Sequence, residues 1–147
     1  MKLYFTIILL ILLQISFAQK VLLKDLKLSA EQKFEKSTGK LKVSLTNHSK
    51  DTLFYLSKSC SWQDFYSTNN KKVKIDISEC DKNVITFLTL APNEKKVVDL
   101  KLKTDGRFSG KIKIGINIIQ SKPMSFDTHE VIALNSQTLW SNDIPIK

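Results

Sequence analysis

Few residue types in this chain of 147 residues are suited to chemistry: two cysteines, two histidines and a short aromatic cluster. Cys60 and Cys80 form an even pair, and in an exported chain an even pair reads as a disulfide. A zinc site needs more ligands than two thiols, and the chain supplies them only by gathering His48 and His129 from distant segments. No metal and no cofactor is expected. His48 stands beside Ser49 and Asp51, the residue types of a hydrolase triad, in which a nucleophile, a base and an orienting group must meet. The run Asn47-His48-Ser49-Lys50-Asp51 nevertheless has turn composition, in which Asx and Ser side chains bond their own backbone. It also matches the N-glycosylation acceptor pattern, and it is read here as a turn. His129 adjoins Glu130 with no nucleophile elbow and no HExxH frame around it. No catalytic residue is assigned, and the chain reads as a non-enzyme.

The cluster Trp62, Phe65 and Tyr66 follows Cys60. In strand geometry Trp62 and Tyr66 share one face and Phe65 takes the other. Phe65 then enters the core, while Trp62 and Tyr66 form a candidate ligand platform for a sugar ring or a peptide. The plainer expectation packs Trp62 over the disulfide, as a tryptophan does in antibody domains. Trp140, near the end of the chain, is expected in the core.

The elements that must position these groups begin after a leader. Met1-Lys2, the apolar run Leu3 to Leu13, and small residues at Ser16 and Ala18 are the three parts of a secretory signal, with cleavage expected after Ala18. The apolar run falls short of the roughly 20 residues that cross a bilayer, and no cysteine stands at the cleavage site to carry a lipid. Removing 18 residues from 147 leaves 129, which suits a single domain, 19–147, in a secreted or periplasmic protein.

Beyond the leader the apolar residues alternate with the period of half-buried strands. Val21 to Leu28 is the first expected strand. Ser29 to Phe34 fits either a helical turn or a continued edge strand. Leu41, Val43 and Leu45 then share a face. Thr52 to Lys58 is apolar on both faces and reads as central. Gln63 to Thr68 and Lys71 to Ser78 flank Asn69-Asn70, and asparagine tolerates the backbone that a two-residue hairpin turn demands. Pairing about that turn brings Cys60 and Cys80 one residue out of register, which a bulge absorbs, so the bridge is expected to staple the base of a hairpin. Val84 to Leu90 ends at Ala91-Pro92-Asn93-Glu94, a proline-led turn. Val98, Leu100 and Leu102 share a face of Lys96 to Lys103. Ile112, Ile114, Ile116 and Ile118 do the same in Lys111 to Gln120. A weak strand near Val131 to Leu134 and a last one, Gln137 to Ile144, complete an all-β chain. Seven to nine short strands without a helix indicate an antiparallel β-sandwich of immunoglobulin-like type.

The formal charge of +9 loses one unit with Lys2, and the balance favours anionic partners. If the Lys96 and Lys111 strands pair with Leu100 facing Ile114, Lys101 opposes Lys113 and Lys103 opposes Lys111. Opposed like charges cost about 0.2–1 kcal/mol per pair, so such a face does not serve folding. Lys101, Lys103, Lys111 and Lys113, joined by Lys96 and Arg107, are therefore a candidate stripe for phospholipid headgroups or acidic polysaccharide. The plainer reading is a solvated face that deters edge-to-edge association. Nucleic acid is not expected, as no RRM, OB or helix-turn-helix signature is present.

A further order of features runs from Leu41 to Glu94: a strand ending in Asn47-x-Ser49, then Asp51-x-Leu53-Phe54, Asp64-Phe65, Asn69-Asn70, Val73 and Leu90-x-Pro92-Asn93-Glu94. It resembles the bacterial BsuPI-type proteinase inhibitor domain. The resemblance implies an immunoglobulin-like sandwich. The leader and the Cys60 and Cys80 pair are not part of that family's pattern. Two functional readings follow: an exported non-catalytic binding or interaction module meeting protein, polysaccharide or an anionic envelope surface, and a proteinase inhibitor presenting Thr104 to Gly110 or Ser121 to Thr128.

Overall fold

A computed structural model describes residues 21–32, 39–123, 129–131 and 136–146. The expected leader and cleavage site, and residues 33–38, 124–128, 132–135 and 147, lie outside the described residues. The strands are β1 Leu26–Gln32, β2 Lys40–Asn47, β3 Leu53–Lys58, β4 Tyr66–Thr68, β5 Val73–Ile75, β6 Ile85–Leu90, β7 Lys95–Thr104, β8 Gly110–Ile112, β9 Ile114–Ile118, β10 Ser121–Pro123, β11 His129–Val131, β12 Gln137–Trp140 and β13 Ile144–Ile146. The protein is all-β, with antiparallel sheets packed together as a sandwich.

One layer has the order β1-β2-β7-β5. The other is assembled around β9, which pairs with β12 on one side and β4 on the other, with β13 continuing along β8. The β3–β6 pair joins this layer at the end of β9, through the Tyr55–Gln120 bridge and the Leu56 amide, which donates to the Ile119 carbonyl at 2.9 Å. Alternation decides what is buried. Leu28, Ala30, Leu41, Val43, Leu45 and Leu100 face inward from the first layer. Leu53, Leu90, Ile112, Ile114, Ile116, Ile118 and Ile144 meet them from the second. Each such side chain contributes about 1.5–3 kcal/mol when withdrawn from water. β-Branched isoleucines suit the pleated surface of β9, which explains why the plainest alternation marks the middle of its layer.

The corner after β2 is fixed by Asn47, which has no exposed surface. Its Nδ2 donates to the carbonyls of Asp51 (2.8 Å) and Leu90 (2.9 Å), and its Oδ1 accepts from the Ser49 amide (2.9 Å). The Ser49 hydroxyl lies within 2.7 Å of that Oδ1 and 2.8 Å of the Asp51 carbonyl. The next corner is tied to the same residue, because the Asn93 amide donates to the Asn47 carbonyl at 2.7 Å. There Glu94 N–H closes a β-turn on the Ala91 carbonyl, with Pro92 second and Asn93 third at φ 61°. That is the backbone a proline-led turn with a left-handed third residue requires.

Three expected pairings are corrected. β7 does not pair with β9: it lies between β2 and β5, so Lys101 opposes Lys40 and Lys103 opposes Lys74, while Lys111 on β8 opposes Pro145. The chain from Thr104 to Gly110 crosses between layers instead of folding back as a hairpin, with Gly106 at φ 82° within it. Asn69-Asn70 does turn the chain, yet β4 pairs with β9 and β5 with β7, so this too is a change of layer. The Asn69 side chain holds the crossing, its Oδ1 accepting from the Lys113 amide at 2.7 Å. Cys60 and Cys80 are joined, with Cα atoms 6.1 Å apart, but the bridge closes a ring around a crossing segment and not the base of a two-strand ladder. A loop of this length contributes about 3 kcal/mol in the chain-entropy description.

At the start, Leu23–Asp25 is a 3-10 turn and the strand begins at Leu26. It runs on through Ser29 to Gln32, so the ambiguous segment is strand as far as it is described. Trp140 is 43 % exposed, not core. Its ring lies over Gly115, where an added Cβ would come within 2.8 Å of it.

Candidate ligand cleft

β3 leaves its layer at Lys58, and Ser59 keeps the chain beside the start of β6: its amide donates to the Val84 carbonyl at 2.9 Å and its hydroxyl accepts from the Val84 amide at 3.1 Å. Before the chain reaches β9 as β4 it makes a 3-10 turn, Trp62–Phe65, closed by the Asp64 amide on the Ser61 carbonyl at 3.0 Å. This turn occupies the gap where β3 and β9 diverge. It overturns the strand geometry expected of the aromatic cluster, since a turn of three residues brings side chains round to one side. Trp62 and Tyr66 do meet, edge to face, with ring centroids 5.8 Å apart and planes at 84°. Phe65 does not enter an opposite core face but lines the same space as the other two.

That space is a cleft of about 620 Å³ between the layers. Its aromatic wall is Tyr55, Trp62, Phe65 and Tyr66, continued by Leu88 and Val98. Val98 and Lys96 come from β7 in the first layer, whereas Asn117 comes from β9 in the second. Lys58 and Asp64, paired with one another, stand at the turn end. Volume and an apolar wall with a few polar groups are the attributes of small-molecule sites.

One polar atom of the lining is uncommitted. Asn117 Oδ1 is buried without a hydrogen-bond partner among the described residues. Tyr55 and Tyr66 line the same space. Burial, aided by the charge of Glu94, pushes the Tyr55 phenol up to about 12. Burial, and then the neighbouring Tyr55, raises the Tyr66 phenol further. Both remain protonated near neutral pH, so they serve as hydrogen-bond donors and are poor bases or nucleophiles. Tyr55 and Asn117 have no place among the sequence candidates, and Lys96 is a candidate there only as part of the lysine stripe, not as a partner of the aromatic pair. The only signal in the sequence was a lysine at an inward position of an alternating strand.

The other candidates are dispersed. Lys101 and Lys103 lie in the first layer, and Lys111 and Lys113 belong to the second, so the cross-strand stripe is not formed. Lys103 pairs with Asp76 at 2.5 Å, which raises its pKa through that hydrogen bond and charge, and Lys113 lies 3.8 Å from Asp143. His48 is exposed, and its neighbour Ser49 is held within the Asn47 turn instead of facing an imidazole. His129 lies in β11, paired through Pro123 with β10. Asn47 is buried with its amide nitrogen occupied, so the acceptor pattern at Asn47-x-Ser49 is a structural turn in the folded chain. Of the two proposed inhibitory loops, Thr104 to Arg107 is exposed and Phe108 half-buried, while Ser121–Pro123 is strand and the remainder lies outside the described residues. Among the described residues no His, Cys, Asp or Glu cluster could hold a metal, and no helix is long and apolar enough to cross a membrane. Comparison with protein-family models and with curated proteins finds no match to this chain.

Proposed function

We propose that this is an exported, non-catalytic binding module of the cell envelope or extracellular space, and that its ligand site is the cleft beside Trp62 and Tyr66. The observation that carries the reading is the cleft's open aromatic wall, interrupted by polar groups of which Asn117 Oδ1 is buried without a partner among the described residues. A folded chain rarely buries such groups without return, since each unsatisfied one costs about 1–3 kcal/mol. The disulfide and the leader-like start support export.

The test is a fragment screen followed by amide and indole NMR shifts on the exported, oxidised protein. Shifts clustered at Tyr55, Trp62, Tyr66 and Leu88 are expected, and a Val98→Phe variant that keeps its thermal midpoint should lose them. A screen that perturbs only the outer faces, or one unaffected by Val98→Phe, defeats the reading. The inhibitor alternative rests on the exposed Thr104 to Arg107 stretch. It requires residual protease activity to fall in a protease panel and the loop to stay intact.

A further inference from the structure

The polar groups of the cleft define more than a hydrophobic pocket. Lys96 projects inward from β7 at a half-buried position, in register with Leu45. Among the described residues its ammonium has no ion-pair partner, although Lys58, Lys74, Lys103 and Lys113 each have one. The two phenols present donors to the same cleft, and Ser57 and Thr86 add hydroxyls. The acids around it are already engaged: Asp64 pairs with Lys58, Glu94 accepts from the Ala91 amide, and Asp99 has an interaction partner of its own. Lys96 in the first layer therefore offers a positive charge, and the phenols and hydroxyls of β3, β4 and β6 in the second layer offer donors, which together suit a carboxylate. The second layer also offers an acceptor, Asn117 Oδ1, that lacks a donor among the described residues. Between them Trp62, Tyr66, Leu88 and Val98 present apolar surface.

Resting on the cleft as the binding site, we infer that its ligand is a small organic monocarboxylate with an apolar, ring-sized body, whose carboxylate meets Lys96 and the tyrosine hydroxyls and whose own hydroxyl or N–H satisfies Asn117. The volume accommodates one such molecule with room for a substituent and does not fit a long polymer enclosed within it. The charge comes from Lys96 in the first layer and the acceptor for the ligand's donor from Asn117 in the second, so each is open to separate removal.

The probes are 3-(4-hydroxyphenyl)propionate, its methyl ester and 3-phenylpropionate, titrated into the exported, oxidised protein by calorimetry and followed through the Trp62 indole resonance. The hydroxylated acid binds roughly tenfold or more tightly than the ester, as the loss of one charge-assisted hydrogen bond implies. It also exceeds 3-phenylpropionate, which leaves Asn117 unpaired. Lys96→Gln brings the acid to the level of the ester; Asn117→Leu abolishes the preference for the hydroxyl. Lys96 is half-buried and bonded to no side chain among the described residues, so Lys96→Gln carries the test even if Asn117→Leu fails to fold. Equal binding of acid and ester, or indifference to Lys96→Gln, overturns the carboxylate while the shared Trp62 shift upholds the cleft. Absence of binding by all three probes also overturns the carboxylate, and the fragment screen then decides the cleft separately.

Discussion

Replacing Asn47 by alanine removes a side chain with no exposed surface whose amide joins two corners of the sandwich. Three contributions can be separated. The Leu90 carbonyl loses a donor at 2.9 Å in a buried setting, worth about 1–3 kcal/mol when the acceptor cannot reach water. The Asp51 carbonyl loses a donor at 2.8 Å but keeps the Ser49 hydroxyl, so about 0.5–1.5 kcal/mol applies. The Ser49 amide loses its acceptor, for a similar amount. Together these predict a loss of about 3–5 kcal/mol for Asn47→Ala, taking intermediate values of each range. Ser49→Ala should cost only about 1 kcal/mol, because Asn47 retains both carbonyls and the Ser49 amide. Equilibrium urea unfolding of the oxidised protein measures both. With a slope of about 1–3 kcal/mol per molar, the Asn47→Ala midpoint should fall by more than roughly 1 M. An Asn47→Ala variant within about 1 kcal/mol of wild type, or a Ser49→Ala variant that is the more damaging of the two, would refute the assignment of this corner to Asn47.

Alkaline titration followed at 295 nm should show no tyrosinate from Tyr55 or Tyr66 until well above pH 10 in the folded protein. The folded pKa of Tyr55 is raised above its unfolded value, so its contribution is complete below pH 10 and fades as pH climbs towards about 12, at up to about 1.4 kcal/mol per pH unit; ordinary titration near 10 in the native state would contradict the buried placement. Replacing Lys101, Lys103, Lys111 and Lys113 with glutamine should lower heparin retention no more than replacing the exposed Lys24, Lys27, Lys42 and Lys71, since the four do not form one cross-strand face. A markedly larger loss would restore a dedicated anion surface.

The strands that sequence made plain are those whose alternation is imposed by burial on one side. β2, β7 and β9 announce themselves through Leu41-Val43-Leu45, Val98-Leu100-Leu102 and the four isoleucines. Alternation reports which side of a strand is inward and says nothing of the neighbour it meets there. β7 and β9 each satisfy their pattern in opposite layers just as well as in one ladder, which is why the lysine register failed. The turn at Asn69-Asn70 failed for the same reason, because a tight reversal serves a crossing as readily as a hairpin. Trp62 to Phe65 carries no alternation, and its 3-10 geometry follows from the chain having to leave β6's neighbour and reach β9, a constraint set by distant partners. The cleft arises from that divergence and so was invisible, although Trp62 and Tyr66 had been marked by their chemistry.

The ring closed by Cys60 and Cys80 includes β4, held by β9, and β5, held by β7, so a single covalent circuit is anchored in both halves of the sandwich. Prising the halves apart at this end means stretching the circuit as well as exposing the interior. Breathing of the cleft is thereby confined to small excursions at the side where Trp62 lies two residues from the bridge. A reducing environment would lift that restraint, converting a recess of fixed dimensions into one that dilates.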